Sequence, residues 1–142
     1  MIMIFIYFGE ETGLSGWISS YAVMLNLDTK EGATKFPSIF WIFLTIFRFL
    51  FAGLSGKVSE KLILLTKIQI IAYFISIVLT KLDYSLFAVY WNSVFAGIAY
   101  SSMYVLIYSL SIEFKQSITR SQLASIMTFA NLGEGIACAI IG

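Results

Sequence analysis

The composition of this 142-residue chain is typical of a membrane protein and excludes an ordinary soluble domain. Hydrophobic residues make up 59% of the chain, charged residues make up 12%, and the mean hydropathy is +0.89. A soluble domain is about 45–50% apolar and about 25% charged, so this chain has too little charge to cover a surface in water. The net charge of +1 gives no indication of a nucleic-acid partner. We therefore expect an integral membrane protein with the lipid bilayer as its surroundings.

Two features of the composition narrow the possible chemistry. The chain has no histidine, which excludes Ser-His and Cys-His nucleophile pairs and the HExxH zinc site. Cys138 is the only cysteine, so an intrachain disulfide cannot form, and packing in an apolar stretch is its simplest role. We therefore expect a protein that is not an enzyme and that needs neither a cofactor nor a metal.

Five apolar stretches follow one another along the chain, separated by short polar segments. A membrane-spanning helix needs about 20 apolar residues, whereas a barrel strand alternates in polarity over about ten. Because these stretches are continuous, the sequence predicts an all-α, multi-pass membrane protein with consecutive helices packed antiparallel. The predicted spans are residues 2–27, 36–55, 62–80, 86–110 and 122–142.

The ends of these stretches give further expectations. Pro37 lies in the first turn of the second span, where its missing N–H leaves no hydrogen bond unmade. The third span carries no distinctive motif and is expected to face lipid, and residues 111–120 are expected to form a short interfacial segment. The last span is still apolar at Gly142, so we expect an excerpt of a longer protein; a complete five-helix protein is the alternative.

Ionisable residues inside the predicted spans are the main candidates for function. One such group at the centre of a membrane helix costs about 2.5–3.5 kcal/mol on insertion scales, so it is rarely present without a role. At 1.5 Å per residue, Glu11 and Arg48 fall about 4 Å from the centres of their adjacent spans, on the same side. A contact between them is therefore geometrically possible. It would be either a static ion pair that fixes packing or a pair that lines a polar cavity.

Two further acids lie in the spans. Glu10 points about 100° away from Glu11 on a helix, and it either faces the same cavity or reaches toward the headgroups. Glu134 is flanked by Gly133 and Gly135, which leave its carboxyl sterically open. We interpret Glu134 as a candidate proton or cation site, with a neutral, hydrogen-bonded carboxyl between helices as the alternative.

The first and fourth spans also carry distinctive small and polar residues. Gly9, Gly13 and Gly16 form a ridge on the first span of the kind that packs helices together. The fourth span combines tyrosine and tryptophan with Asn92 and Ser101. Aromatic faces beside hydroxyl and amide groups suit a sugar; the alternative is anchoring in the aromatic belt with hydrogen bonds between helices.

Several motifs resemble one branch of the major facilitator superfamily, which contains sodium-dependent glucose transporter-like and fucose permease-like proteins. The seventh membrane helix of that branch is similar to Tyr7-Phe8-Gly9-Glu10-Glu11 followed by Gly16-Trp17. Its eighth helix is similar to the segment from Pro37 to Trp41, followed by Thr45 and Arg48.

The tenth and eleventh helices of the same branch are similar to Gly97, Ser101 and Ser102, and to Gly133-Glu134. Two departures stand out. Val105 occupies the approximate position of a proline that is common in the tenth helix. The segment 53–61 lacks the aspartate of the superfamily's cytoplasmic loop motif.

The resemblance implies that the chain is helices seven to eleven of a twelve-helix transporter, whose N-terminal six-helix half lies outside this chain. It implies transport of a sugar or a similar small polar solute, coupled to Na⁺ or H⁺. We place such a protein in the plasma membrane in preference to internal membranes.

We predict that Glu11, Trp17, Arg48, Asn92 and Ser101 contact the solute, and that Glu134 and Glu11 couple the ion. The alternative is a non-transporting membrane subunit or an inactive truncated product. An intramembrane enzyme is disfavoured because the sequence contains no evident pairing of a nucleophile with a base.

Overall fold

Every element that the computed structural model describes is an α-helix, as the sequence predicts. The description covers residues 2–53, 58–82, 84–115 and 119–141. The five long helices overlap the five predicted apolar stretches, and a four-residue helix lies in the first loop. The helices are α1 (Ile2–Met24), α2 (Lys30–Ala33), α3 (Lys35–Gly53), α4 (Val58–Leu82), α5 (Leu86–Lys115) and α6 (Arg120–Ile141).

Helix α1 ends three residues before the predicted limit of 27, because its end is closed by a capping motif. The N–H of Leu27 donates to the carbonyl of Ala22 and that of Asn26 donates to Val23, at 3.0 Å each. This is the Schellman pattern, which requires a left-handed residue at its turn. Asn26 supplies that conformation with φ of 53°, which asparagine tolerates better than most residues.

Helix α5 extends beyond its apolar stretch. It continues to Lys115, so residues 111–115 belong to the helix and not to a separate interfacial segment. These residues include Glu113 and Lys115, which are good helix formers and allow the helix to continue past its apolar part. Residues 116–118 of the predicted interfacial segment lie outside the described residues.

The loop between α1 and α3 is closed by polar contacts at its two ends. Thr29 caps α2 by accepting a hydrogen bond from the N–H of Gly32 at 3.1 Å. The Lys35 ammonium donates to Asp28 at 2.6 Å. This hydrogen bond, together with one from the Thr29 N–H, holds the pKa of Asp28 below its usual range. Pro37 lies in the first turn of α3, as predicted.

Helix α5 lies at the centre of the bundle and packs against α1, α3 and α4. Three layers of buried side chains follow its length and contain Val89, Tyr100 and Leu106 in turn. The middle layer joins α1, α3 and α5. Gly97 lets α3 approach closely, because a Cβ there would lie 2.7 Å from the carbonyl oxygen of Phe40.

Helix α6 packs parallel to α1 through backbone contacts at glycine. A Cβ on Gly133 would overlap the carbonyl of Phe5, and one on Gly9 would lie 3.1 Å from the carbonyl oxygen of Gly133. Gly9 of the predicted glycine ridge therefore serves helix packing. Gly16 and Gly135, in contrast, face open space.

The outer surface of the bundle is apolar. On α4, Ile63, Ile70 and Phe74 are all more than half exposed; that this span faces lipid stays a prediction. Among the described residues, two segments are long and apolar enough to cross a membrane: Lys30–Gly53 and Ile63–Lys81. Helix α1 is not one of these two segments, and it carries two charged residues in its middle, Glu10 and Glu11.

The glycine contact between α1 and α6 can be tested by adding one methyl group. We expect Gly133→Ala to destabilise the protein by about 1–3 kcal/mol, as overpacking does in other close contacts. Thermal unfolding in detergent micelles would measure the loss. Gly135→Ala is the matched control, because its added methyl group meets open space. Equal melting temperatures for the two variants would show that the close approach at Gly133 is absent.

Candidate functional site

A buried ion pair joins α1 to α3. The Nη2 atom of Arg48 lies 3.2 Å from each carboxylate oxygen of Glu11. The Glu11 side chain is only 2% exposed, and that of Arg48 is 28% exposed. Glu11 and Arg48, which the sequence places at a similar depth in adjacent spans, are therefore in contact.

Tyr7 extends the pair to a third helix. It lies one turn before Glu11 on α1 and is itself 2% exposed. Its hydroxyl accepts a hydrogen bond from Arg48 Nη2 at 2.8 Å and donates to the backbone carbonyl of Tyr100 in α5 at 2.9 Å. The polar cluster of Tyr7, Glu11 and Arg48, which we call the ion-pair cluster, thus connects α1, α3 and α5.

Aromatic rings enclose the ion-pair cluster. The Arg48 guanidinium carbon lies 4.6 Å from the centre of the Tyr104 ring, a cation–π contact that partly replaces lost hydration. The rings of Tyr73 and Tyr100 are 5.3 Å apart, which brings α4 to the same region. The Glu11 end of the pair is therefore buried among polarisable rings, where a charge pair interacts more strongly than at a surface.

Tyr7, Tyr73 and Tyr104 are partners of the charged residues that the sequence did not predict. A signal for Tyr7 was available, because residues four apart share one face of a helix and Tyr7 precedes Glu11 by four. Tyr73 and Tyr104 gave no comparable signal, since their contacts depend on how α4 and α5 pack. A tyrosine near a span is also equally compatible with the aromatic belt.

A groove lies beside the cluster, between α1 and α6. Its volume is about 480 Å³, and its lining includes Gly9, Glu10, Gly13, Trp17, Tyr100 and Ile136. Tyr100 belongs to both features, since its backbone carbonyl holds Tyr7 while the residue lines the groove. We call this space the Trp17 groove.

Trp17 lies in the groove and not in the ion-pair cluster. Its side chain is 42% exposed, and its ring stacks on Tyr21 with centres 4.7 Å apart. It also borders a second cavity of about 330 Å³, which is lined by Gly16, Ser20 and Cys138 among others. Trp17 and Glu10 line the same groove, about 10 Å apart along α1, and offer it an apolar ring and a hydrogen-bond acceptor.

Asn92 and Ser101 lie apart from these two features, whereas Glu134 is near enough to Glu11 for their charges to interact. Asn92 is 7% exposed and accepts a hydrogen bond from the hydroxyl of Ser76, which joins α5 to α4. Ser101 is fully buried, and its hydroxyl donates to Ile98 on its own helix at 2.6 Å. Glu134 is partly buried on α6, and its neighbour Gly133 contacts α1. Their roles in solute binding and ion coupling stay predictions.

Comparison with known proteins adds no family assignment. No protein-family model matches the chain, and it has no significant match among curated proteins or solved structures. The resemblance to the major facilitator superfamily therefore stays a prediction. In the part of the chain that the structure describes, three or more acidic or thiol side chains do not converge on a possible metal site.

The ion pair predicts an asymmetric response to substitution. Arg48→Met leaves the deeply buried Glu11 without a cation, whereas Glu11→Gln leaves a partly exposed arginine that water can reach. Breaking a buried pair on one side costs about 3–5 kcal/mol. We expect a loss of that size for Arg48→Met and a smaller loss for Glu11→Gln, measured by thermal unfolding in micelles.

The double variant Glu11→Gln/Arg48→Met separates coupling from two independent effects. Because it removes both charges together, it should be more stable than Arg48→Met alone. Strictly additive losses in the three variants would mean that the two side chains do not interact.

Proposed function

We propose that this chain is part of a membrane transporter for a small polar solute. The observation that carries the proposal is the ion-pair cluster, buried inside a bundle whose outer surface is apolar. Charged residues within a membrane are costly, face the interior of a bundle, and mark the paths of solutes and ions. In this proposal α1, α3, α4, α5 and α6 cross the membrane, and lipid covers the exposed apolar side chains.

The proposed architecture is that of helices seven to eleven of a major facilitator transporter. Its support is the set of motifs in α1, α3, α5 and α6, together with Glu11 and Arg48 lying in contact on the first two of these helices. Transport by alternating access requires two halves that move about a central site. The N-terminal six-helix half is therefore the partner that the proposal requires, in the plasma membrane.

The Trp17 groove is the proposed place for the solute. Its volume of about 480 Å³ is within the range of about 300–1,000 Å³ for small-molecule sites. The Trp17 ring can cover the C–H face of a sugar, and the Glu10 carboxylate can accept hydrogen bonds from its hydroxyl groups. A sugar or a similar polyhydroxy compound is therefore the proposed solute class. Na⁺ or H⁺ is the proposed coupling ion, with Glu134 and Glu11 as its sites.

One observation favours the alternative of a non-transporting membrane subunit. Helix α6 packs mainly on α1, and Gly135 on α6 faces open space. Small residues on an open helix face allow another helix to approach closely. This arrangement would suit a chain that binds a second membrane protein without carrying a solute.

The membrane topology can be tested with introduced cysteines. Thr29 follows α1 and Ser121 lies in the first turn of α6, so the proposed crossings place them on opposite sides of the membrane. The polar segments after the second and fourth predicted spans carry more Lys and Arg than those after the first and third, which favours the cytoplasmic side for Ser121. With Cys138→Ala as the background, we therefore expect an impermeant thiol reagent to label Thr29→Cys in intact cells and Ser121→Cys only after the membrane is opened. Labelling of both positions from one side would contradict the five crossings.

The solute site can be tested by the binding of radiolabelled sugars to the full chain in liposomes. With a panel of such sugars, we expect Trp17→Ala to weaken binding at least about tenfold, the loss that corresponds to about 1.4 kcal/mol. Trp41→Ala is the matched control, because Trp41 on α3 is equally exposed, at 40% against 42%, and lies outside the groove. If the parent chain binds none of the sugars, the groove is not a sugar site. Equal losses in both variants would exclude the groove as the solute site.

A further inference from the structure

The hydrogen bonds of the Arg48 guanidinium to Tyr7 and Glu11 all come from one nitrogen atom, Nη2. Nη2 contacts three acceptors: the Tyr7 hydroxyl at 2.8 Å and both Glu11 oxygens at 3.2 Å. An Nη atom has only two hydrogens. One hydrogen is directed at Tyr7, so the other is shared between the two carboxylate oxygens.

This sharing explains why the ion pair is long. Hydrogen bonds between a guanidinium and a carboxylate are usually about 2.7–2.9 Å and often run in parallel from two nitrogens. Here both distances to Glu11 are 3.2 Å. Meanwhile Nε is buried and donates to none of the described residues. The nitrogen that would complete a two-nitrogen pairing is therefore not used for it.

The cause lies in the other contacts of the guanidinium. The Tyr7 hydroxyl donates to the Tyr100 carbonyl at 2.9 Å, and because an arginine nitrogen can only donate, the hydroxyl oxygen is the acceptor for Arg48 at 2.8 Å. That carbonyl belongs to the backbone of α5, so it cannot turn away as a side chain could. The Tyr104 ring, 4.6 Å from the guanidinium carbon, supports the same orientation.

We propose that Tyr7 is a positioning residue whose hydroxyl keeps the Arg48 guanidinium from pairing with Glu11 through both Nε and Nη2. Without that hydroxyl, Nη2 regains a free hydrogen, and rotation of the guanidinium brings Nε to the second carboxylate oxygen. The hydroxyl thus keeps the ion pair in its weaker form.

The consequence for transport rests on the proposed function. A carboxylate that must exchange its partner during a transport cycle has to separate from its arginine in each cycle. A pair held by one shared hydrogen separates more readily than one held by two parallel hydrogen bonds. Tyr7 therefore favours turnover over a tightly closed pair.

The pairing can be tested without any transport measurement, because the chain has only two arginines, Arg48 and Arg120. We would label the full chain with ¹⁵N-arginine in micelles and record the two Nε–H signals, assigned with Arg120→Lys. In Tyr7→Phe, we expect the Arg48 Nε–H signal to move downfield and to exchange with water about tenfold more slowly, as a new charge-assisted hydrogen bond requires. The Arg120 signal should not change.

Tyr21→Phe is the matched control. It makes the same substitution on α1, where the hydroxyl lies 3.5 Å from the Thr80 carbonyl and has no part in the ion-pair cluster. The proposal is overturned if the Arg48 signal is the same in Tyr7→Phe and the parent. It is also overturned if Tyr21→Phe produces the same change as Tyr7→Phe.

A second variant keeps the proposal testable if Tyr7→Phe does not fold. In the parent geometry Nε does not contact Glu11, so Glu11→Gln should leave the exchange rate of the Arg48 Nε–H unchanged. Faster exchange in Glu11→Gln would show that Nε already binds the carboxylate, and the proposal would be wrong.

Uptake into liposomes that contain the chain together with its N-terminal six-helix half then tests the consequence for transport. If this assembly transports a sugar, Tyr7→Phe should lower the maximal rate about tenfold while the half-saturating concentration stays the same, because no groove residue is substituted. A changed half-saturating concentration with an unchanged maximal rate would contradict the positioning role. An assembly without uptake would contradict the proposed function alone, since the spectroscopic result does not depend on it.

Discussion

The contact between Glu11 and Arg48 is the interaction on which the middle of this bundle depends. A carboxylate that is 2% exposed needs a cation or a proton, and Arg48 is the cation within reach. This need fixes the depth of α1 relative to α3. It also accounts for the tyrosines around the pair: the Tyr7 hydroxyl and the Tyr104 ring contact the guanidinium, while the remainder of each ring packs as an apolar side chain.

The position of the helices was largely predictable from the sequence. Continuous apolar stretches of about twenty residues indicate helices, and all five correspond to long helices in the structure. The ends were less predictable, for local reasons. Leu25 and Leu27 continue the first apolar stretch of the sequence, although Asn26 between them closes the helix. At α5, polar residues that favour helix formation extend the helix to Lys115 beyond its apolar part.

In the candidate site, the sequence predicted a contact only where the depth of two residues in adjacent helices decides whether they meet. Counting residues along adjacent antiparallel helices brings Glu11 and Arg48 to the same level, and they do meet. The partner of Asn92 could not be predicted in this way. It is Ser76, one of several polar residues on α4, and packing across the whole interface decides which face of α4 meets α5. The same limit applies to Gly9 and Gly16, since only the packing of α6 makes one crowded and leaves the other open.

The central place of α5 also affects how the protein is made. The chain is synthesised from its N-terminus, so α1, α3 and α4 all exist before α5, the helix on which α3 and α4 chiefly pack. During that interval Glu11 and Arg48 are already available to each other, as is Tyr7, whereas the Tyr100 carbonyl and the Tyr104 ring are not yet made. The ion pair can therefore neutralise the two charges early in biosynthesis. The surroundings that orient the guanidinium are completed only when α5 arrives.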